Sequence, residues 1–208
     1  MRPAVPPAPD AASDAVDLYW LPLGAGGCLV RRSGRAFEAV AARRAGRAPR
    51  ALYHSALQVR LEGVTFVIEQ TPVPDAHGEQ RGVVAGGAVG SRWAGRLRIF
   101  RYEIHCWPEG RIPDVAEAVD SPRRLSADAA RARRVLAAVP QVPTPVWGRD
   151  ELGAGEMWNS NSNSVIAWVL ARSGHDPAHI DPPAGGRAPG WAAGGKVANR
   201  EAGAAPVV

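Results

Sequence analysis

Residues 52–70, "LYHSALQVRLEGVTFVIEQ", constrain the fold of this chain more than any other stretch. Two runs rich in Val, Leu, Ile, Phe and Tyr flank the pair Glu62-Gly63, and that pattern predicts two antiparallel strands joined by a tight turn. The predicted strands cover Leu52–Leu61 and Val64–Gln70. Side chains alternate across a strand, so His54, Ala56, Gln58 and Arg60 share one face, with Tyr53 and Val59 on the other.

The flanking sequence adds strands and helices. "VDLYWLPL" reads as a short strand closed by the turn-forming glycines Gly24 to Gly27. Phe37, Val40 and Ala41 suggest a surface helix from Gly34 to about Arg44. "GRLRIFRYEIHCW" is a third strand in which Ile99, Arg101, Glu103 and His105 form one set. Between the second and third strands, "DAHGEQRGVVAGGAVGS" reads as a loop. "SADAARARRVLAAVP" is a helix with Ser126 as its N-cap and Pro140 as its stop. A last, apolar helix starts within "NSNSNS" and runs through "VIAWVLARSG", capped by Gly174 and opened by Asn163 or Ser164.

Together these elements predict an α+β fold, a small antiparallel sheet packed against helices. A chain of 208 residues suffices for one such domain, expected over residues 16–193. Residues 1–15, rich in Pro and Ala, and residues 194–208, of low complexity, read as tails.

Composition removes several function classes. The net charge is +5, but only Lys196 of the 25 basic residues is a lysine, a skew that looks like codon bias. The densest basic cluster, Arg31 to Arg50, holds one aromatic, Phe37, so nucleic acid is not an expected partner. No run approaches the length of a membrane span, and the N-terminus lacks the apolar core of a secretion signal. A cytoplasmic location is therefore expected. Cys28 and Cys106 form no CxxC pair. His175, His179, Asp176 and Asp181 lie close in sequence, but Pro177 breaks any helical His spacing, so no metal and no cofactor is expected.

The candidate chemistry sits at the start of the last helix. One N-cap needs one Asn or Ser, and "NSNSNS" supplies six. A hydroxyl there lies in the positive end of the helix dipole, beside free N–H donors that suit an oxyanion. The dipole contributes only about 1 kcal/mol, so a serine would still require a general base. His54, at the start of a central strand, fills that role on the sequence, and Glu69 at the end of the partner strand would orient it. His105 is the second choice.

The order "YHSALQV", hairpin, helix, "NSNSVIAW" resembles the circularly permuted papain-like (NlpC/P60-type) superfamily over roughly residues 50–175. In that superfamily a strand histidine precedes a late helix that opens with an Asn-Cys pair. On that pattern His54 matches the histidine, Asn161-Ser162 matches the pair, and Val165 and Ile166 begin the helix core. An uncharacterised bacterial branch carries an Asn-Ser-Asn-Thr/Ser element and a downstream Pro-Pro, which Pro182-Pro183 echoes. Ser162 stands where the thiol belongs. The resemblance implies either an acyl-transfer hydrolase, with Ser162 as nucleophile, His54 as base and Glu69 as orienter, or a catalytically inactive binding module. Asn161, Asn163, Tyr53 and His105 are the candidate binding residues for a small-molecule or peptide substrate, an amide or ester in the hydrolase reading and a peptide, lipid head group or small amide in the binding reading.

Overall fold

A computed structural model describes residues 13–23, 38–73, 82–112, 114–155 and 162–204. Six strands form one antiparallel sheet: β1 (Ala15–Pro22), β2 (Tyr53–Leu61), β3 (Val64–Pro72), β4 (Val83–Ala88), β5 (Arg101–Pro108) and β6 (Val119–Ser126). Their spatial order is β4-β5-β3-β2-β1-β6. Four helices are described: α1 over residues 38–44, α2 (Ala129–Ala138), α3 (Asn163–Arg172) and α4 (Trp191–Ala204). The fold is α+β, as expected.

The hairpin at residues 52–70 forms around the predicted turn. Glu62 and Gly63 both have positive φ, 52° and 80°, the conformation a two-residue hairpin loop requires. Asp14 steadies the turn by accepting the Glu62 N–H at 2.8 Å.

Alternation along the strands sorts the core into two clusters. Val16, Leu18 and Trp20 of β1, Tyr53, Leu57 and Val59 of β2 and Ile104 of β5 pack with α2, α3 and α4. Tyr19, Leu21, Ala56, Val67 and Trp107 point the other way and pack with Ile112 and Ala118. Asp17, buried on that second face, is held by Arg60 at 3.0 Å and by Arg124 from β6.

Helix α3 is held by burial rather than propensity. Every residue from Asn163 to Leu170 is buried, and β-branched Val165, Ile166 and Val169 are mediocre helix formers. Each such side chain contributes roughly 1.5–3 kcal/mol by leaving water, enough to outweigh that preference. Helix α4 crosses α3 closely because Gly194 lacks a side chain: a Cβ there would lie 2.1 Å from the Ser164 carbonyl oxygen. Gly174, with φ 86°, ends the last turn after α3, and the His175 N–H donates to Leu170 O at 2.9 Å.

Several segments differ from expectation. Residues 83–88, read as loop, form β4, and Val119–Ser126, unassigned in sequence, forms edge strand β6. Ser126 therefore ends a strand, and Asp128 caps α2 by accepting the Ala130 N–H. Residues 95–100, expected in the third strand, are in tight turns, and the strand begins at Arg101. Residues 194–204 are not tail but most of α4, fixed by Trp191, Ala193, Val197 and Ala198 in the main core. At the other end Ala15, assigned to the tail, already starts β1. Of the helix predicted from Gly34, residues 38–44 are helical and the part before Glu38 lies outside the described residues. Buried Glu38 joins α1 to the 187 region: it accepts from Arg47 at 2.5 Å, from the Arg50 N–H and from Arg187. The Arg47 guanidinium is the main reason its carboxyl is held down at about 2.

Candidate functional site

The sheet is forked where α3 meets it. The β2–β3 pairing runs from Leu61↔Val64 to Leu57↔Ile68 and goes no further. Beyond that point β2 stays paired with β1 as far as Pro22↔Tyr53, and β3 stays paired with β5 as far as Pro72↔Tyr102. The first residues of α3 satisfy the backbone that the fork leaves open. Ser162 Oγ accepts from Gln70 N at 3.1 Å and donates to Gln70 O at 3.3 Å. Asn163 Nδ2 donates to Tyr53 O at 2.9 Å and to Pro189 O at 3.0 Å. Ser164 Oγ donates to Gly190 O at 2.8 Å.

Three consecutive polar side chains thus reach away from their own helix. Ser162 occupies the N-cap position without a side-chain capping bond, and neither Asn163 nor Ser164 caps α3. The residues that sequence assigned to capping serve as long-range struts instead, because a buried strand N–H or C=O is costly when left unpaired. Asn159, Ser160 and Asn161 lie outside the described residues.

Among the described residues no hydrogen bond joins Ser162, His54 and Glu69. Ser162 is 1% exposed, and both hydrogen-bonding roles of its hydroxyl are filled by Gln70. His54 alternates with Tyr53 and faces the side of Ala56, away from the helices. Among the described residues the His54 ring has no hydrogen-bond partner. Burial pushes its pKa down to about 4, only partly opposed by the charge of Asp114. His54 is therefore neutral at pH 7 while keeping a partly exposed edge. Glu69, expected to orient it, instead stands directly opposite His105 on β5, both on the second face. Tyr53, expected at a binding surface, is buried in the main core, where its carbonyl accepts from Asn163 and its N–H donates to Arg187 O.

What the structure does bring together is a polar cluster on the second face. The registers Glu69↔His105 and Thr71↔Glu103 set four side chains in adjacent rows. Thr71 Oγ1 lies 3.1 Å from His105 Nε2, and Glu103 Oε2 lies 3.6 Å from the same nitrogen. The His105 ring also rests against Trp107, with centroids 5.3 Å apart. His105 and Glu69 are buried, whereas Thr71 and Glu103 keep access to solvent. Thr71 and Glu103 were not picked out in sequence as site residues. The alternation that groups Glu103 with His105 on β5 was the available signal.

Other nucleophile and metal options are weak. Burial raises the Cys106 thiol to about 11, far from a reactive thiolate, and Cys28 lies outside the described residues. Among the described residues no group of three or more His, Cys, Asp or Glu side chains is arranged to hold a metal ion. His179 pairs with Asp176 at 2.7 Å, and His175 meets Ser173 at 3.0 Å. A separate cleft between residues 176–189 and α4, lined by Asp181, Arg187, Trp191, Lys196 and Asn199, contains none of the predicted site residues. No described helix is long and apolar enough to cross a membrane. No family model, curated protein or solved structure matches the chain.

Proposed function

We propose that this domain is a binding module of permuted papain-like layout, in which the serine at the nucleophile position has become a structural residue. The observation that carries this reading is the Ser162 hydroxyl, buried and bonded in both directions to the Gln70 backbone. A nucleophile must reach substrate and pass its proton to a base, and this hydroxyl is buried with its proton directed at the Gln70 carbonyl. The ligand surface in this reading is the polar face of His54, Thr71 and Glu103, with His105 beneath. Its neutral imidazole, hydroxyl and carboxylate offer both donors and acceptors, which suits a peptide or small amide. No cofactor is required, and the location in this reading is cytoplasmic.

The second reading, an amide or ester hydrolase with Ser162, His54 and Glu69, is favoured by one observation. His54 is neutral at pH 7, so its ring has a lone pair to accept a proton, as a general base must, although a pKa of about 4 makes it a weak one. It would require Ser162 to leave Gln70 and turn toward that ring. Labelling with a fluorophosphonate probe separates the two. The binding reading expects no labelling, together with shifts of the His54 and His105 imidazole resonances on titration with a tripeptide amide. Labelling that is lost in both Ser162→Ala and His54→Ala would overturn it in favour of the hydrolase.

A further inference from the structure

Apart from the polar face, one surface feature combines exposed apolar groups with a single sign of charge. Residues 91–101 form a knob between β4 and β5, made of two single-turn 3-10 helices, Ala94–Arg96 and Arg98–Phe100. Trp93 is 74% exposed, Ile99 72% and Leu97 55%, with Phe100 also exposed beside them. Interleaved with these are Arg92, Arg96, Arg98 and Arg101, and no acidic residue occurs from Ser91 to Tyr102. Glu151, on the neighbouring loop, pairs with Arg92 at 3.2 Å, and the Arg92 side chain remains largely exposed.

Part of the knob's backbone is paired within the knob itself. The N–H groups of Gly95, Arg96, Leu97 and Phe100 donate to Ser91, Trp93, Ala94 and Leu97 carbonyls. The Ala94 N–H donates to Ser91 Oγ, and the Arg101 guanidinium donates to the Gly95 and Arg96 carbonyls. A segment that enters a low-dielectric layer does so at less cost when its backbone groups are paired, and these local bonds lower that cost for the knob.

From these observations we infer that the knob docks the protein onto the surface of an anionic lipid bilayer. Trp93, Leu97 and Ile99 would enter the boundary between head groups and acyl chains, while the arginines meet lipid phosphates. Exposed Trp93 and Phe100 suit bases and bilayers alike, but aliphatic Leu97 and Ile99 have no part in base stacking, and an anionic bilayer supplies both an apolar layer and negative charge at once. The attachment is peripheral, and it is independent of the ligand reading given above.

Co-sedimentation of the full chain with vesicles tests the inference. Binding is expected to phosphatidylcholine vesicles containing phosphatidylglycerol, to exceed binding to pure phosphatidylcholine, and to weaken as salt is raised. Arg92→Gln/Arg96→Gln/Arg98→Gln should lower the partition coefficient on the order of 100-fold, since each basic residue near such a surface contributes about one tenfold step or slightly less. Trp93→Ser/Ile99→Ser should abolish binding while thermal unfolding stays unchanged. Trp93→Phe, the most conservative variant, should remove the part of tryptophan fluorescence that brominated lipid quenches. Equal partition to neutral and anionic vesicles, or quenching that survives Trp93→Phe, would overturn the inference. So would a wild-type dimer in light scattering that Trp93→Ser converts to monomer, because a second copy would then be the occupant.

Discussion

The helix-covered face of the sheet carries Trp20, Leu57 and Ile104 against three helices, and its polar side chains at the α3 junction reach across to backbone atoms. The opposite face mixes Val67 and Trp107 with Glu69, His105 and His54, and there Thr71 and Glu103 lie against the His105 ring. The same strands supply both faces through simple alternation, so the difference comes from what packs on each side. On the helix side Ser162 and Asn163 close a defect in the ladder. On the other side Thr71 and Glu103 gather around His105 and keep access to solvent.

The largest test of this contrast is in the core. Ile166→Ala should cost about 3–4 kcal/mol in urea unfolding, because α3 is closed in on every side and a cavity there cannot collapse. Equal tolerance of Ile166→Ala and Val67→Ala would contradict the contrast. Next, Ser162→Ala should cost roughly 2–3 kcal/mol by leaving the Gln70 N–H and C=O without their partner. Thr71→Ala, by contrast, should change stability by less than about 1 kcal/mol, since that side chain keeps access to solvent.

The pH response separates the faces in another way. His54 has a folded pKa of about 4, below the ordinary histidine value near 6.5, so the unfolded chain takes up its proton first. Its contribution to stability is complete above pH 6.5 and is lost as the pH falls toward 4. Between pH 8 and pH 5 the loss from this group is roughly 2 kcal/mol at most. His54→Gln should flatten the stability profile over that window, leaving the smaller slope of His175, whose pKa burial also lowers. A profile as steep in the variant as in the wild type would mean that His54 is solvated. The smallest expected effect is that of Trp93→Ser on unfolding, within about 0.5 kcal/mol, because the side chain is exposed.

The sequence revealed whatever rests on local periodicity and turn chemistry. The Glu62-Gly63 hairpin, the strand at "VDLYWLPL" and the apolar helix ended by Gly174 are of this kind, and so is the grouping of His54 with Ala56. Elements whose character comes from distant partners were hidden. β4, "VVAGGA", lacks alternation, and β6 contains a proline that argues against a strand. α4, "WAAGGKVANREAGA", resembles low-complexity tail until α3 is there to cover it. The role of Ser162 was least accessible of all. Its partner is a backbone group 92 residues earlier, exposed only because β2 and β3 part beyond Leu57 and Ile68. Polar excess in "NSNSNS" pointed to something beyond capping, and its described residues Ser162, Asn163 and Ser164 bond to distant backbone rather than cap α3.

The edge strand β6 has a consequence for how such molecules meet at high concentration. A free strand edge invites a second sheet to continue the ladder, and this is the first step toward fibrils. β6 offers that step poor terms. Pro122 has no N–H to donate, Arg123 and Arg124 bring like charge to any copy of themselves, and the register against β1 slips twice along its length. Sheet-to-sheet polymerisation through β6 is therefore disfavoured by its own chemistry, and a crowded solution of this protein should stay free of edge-stacked aggregates grown from that side.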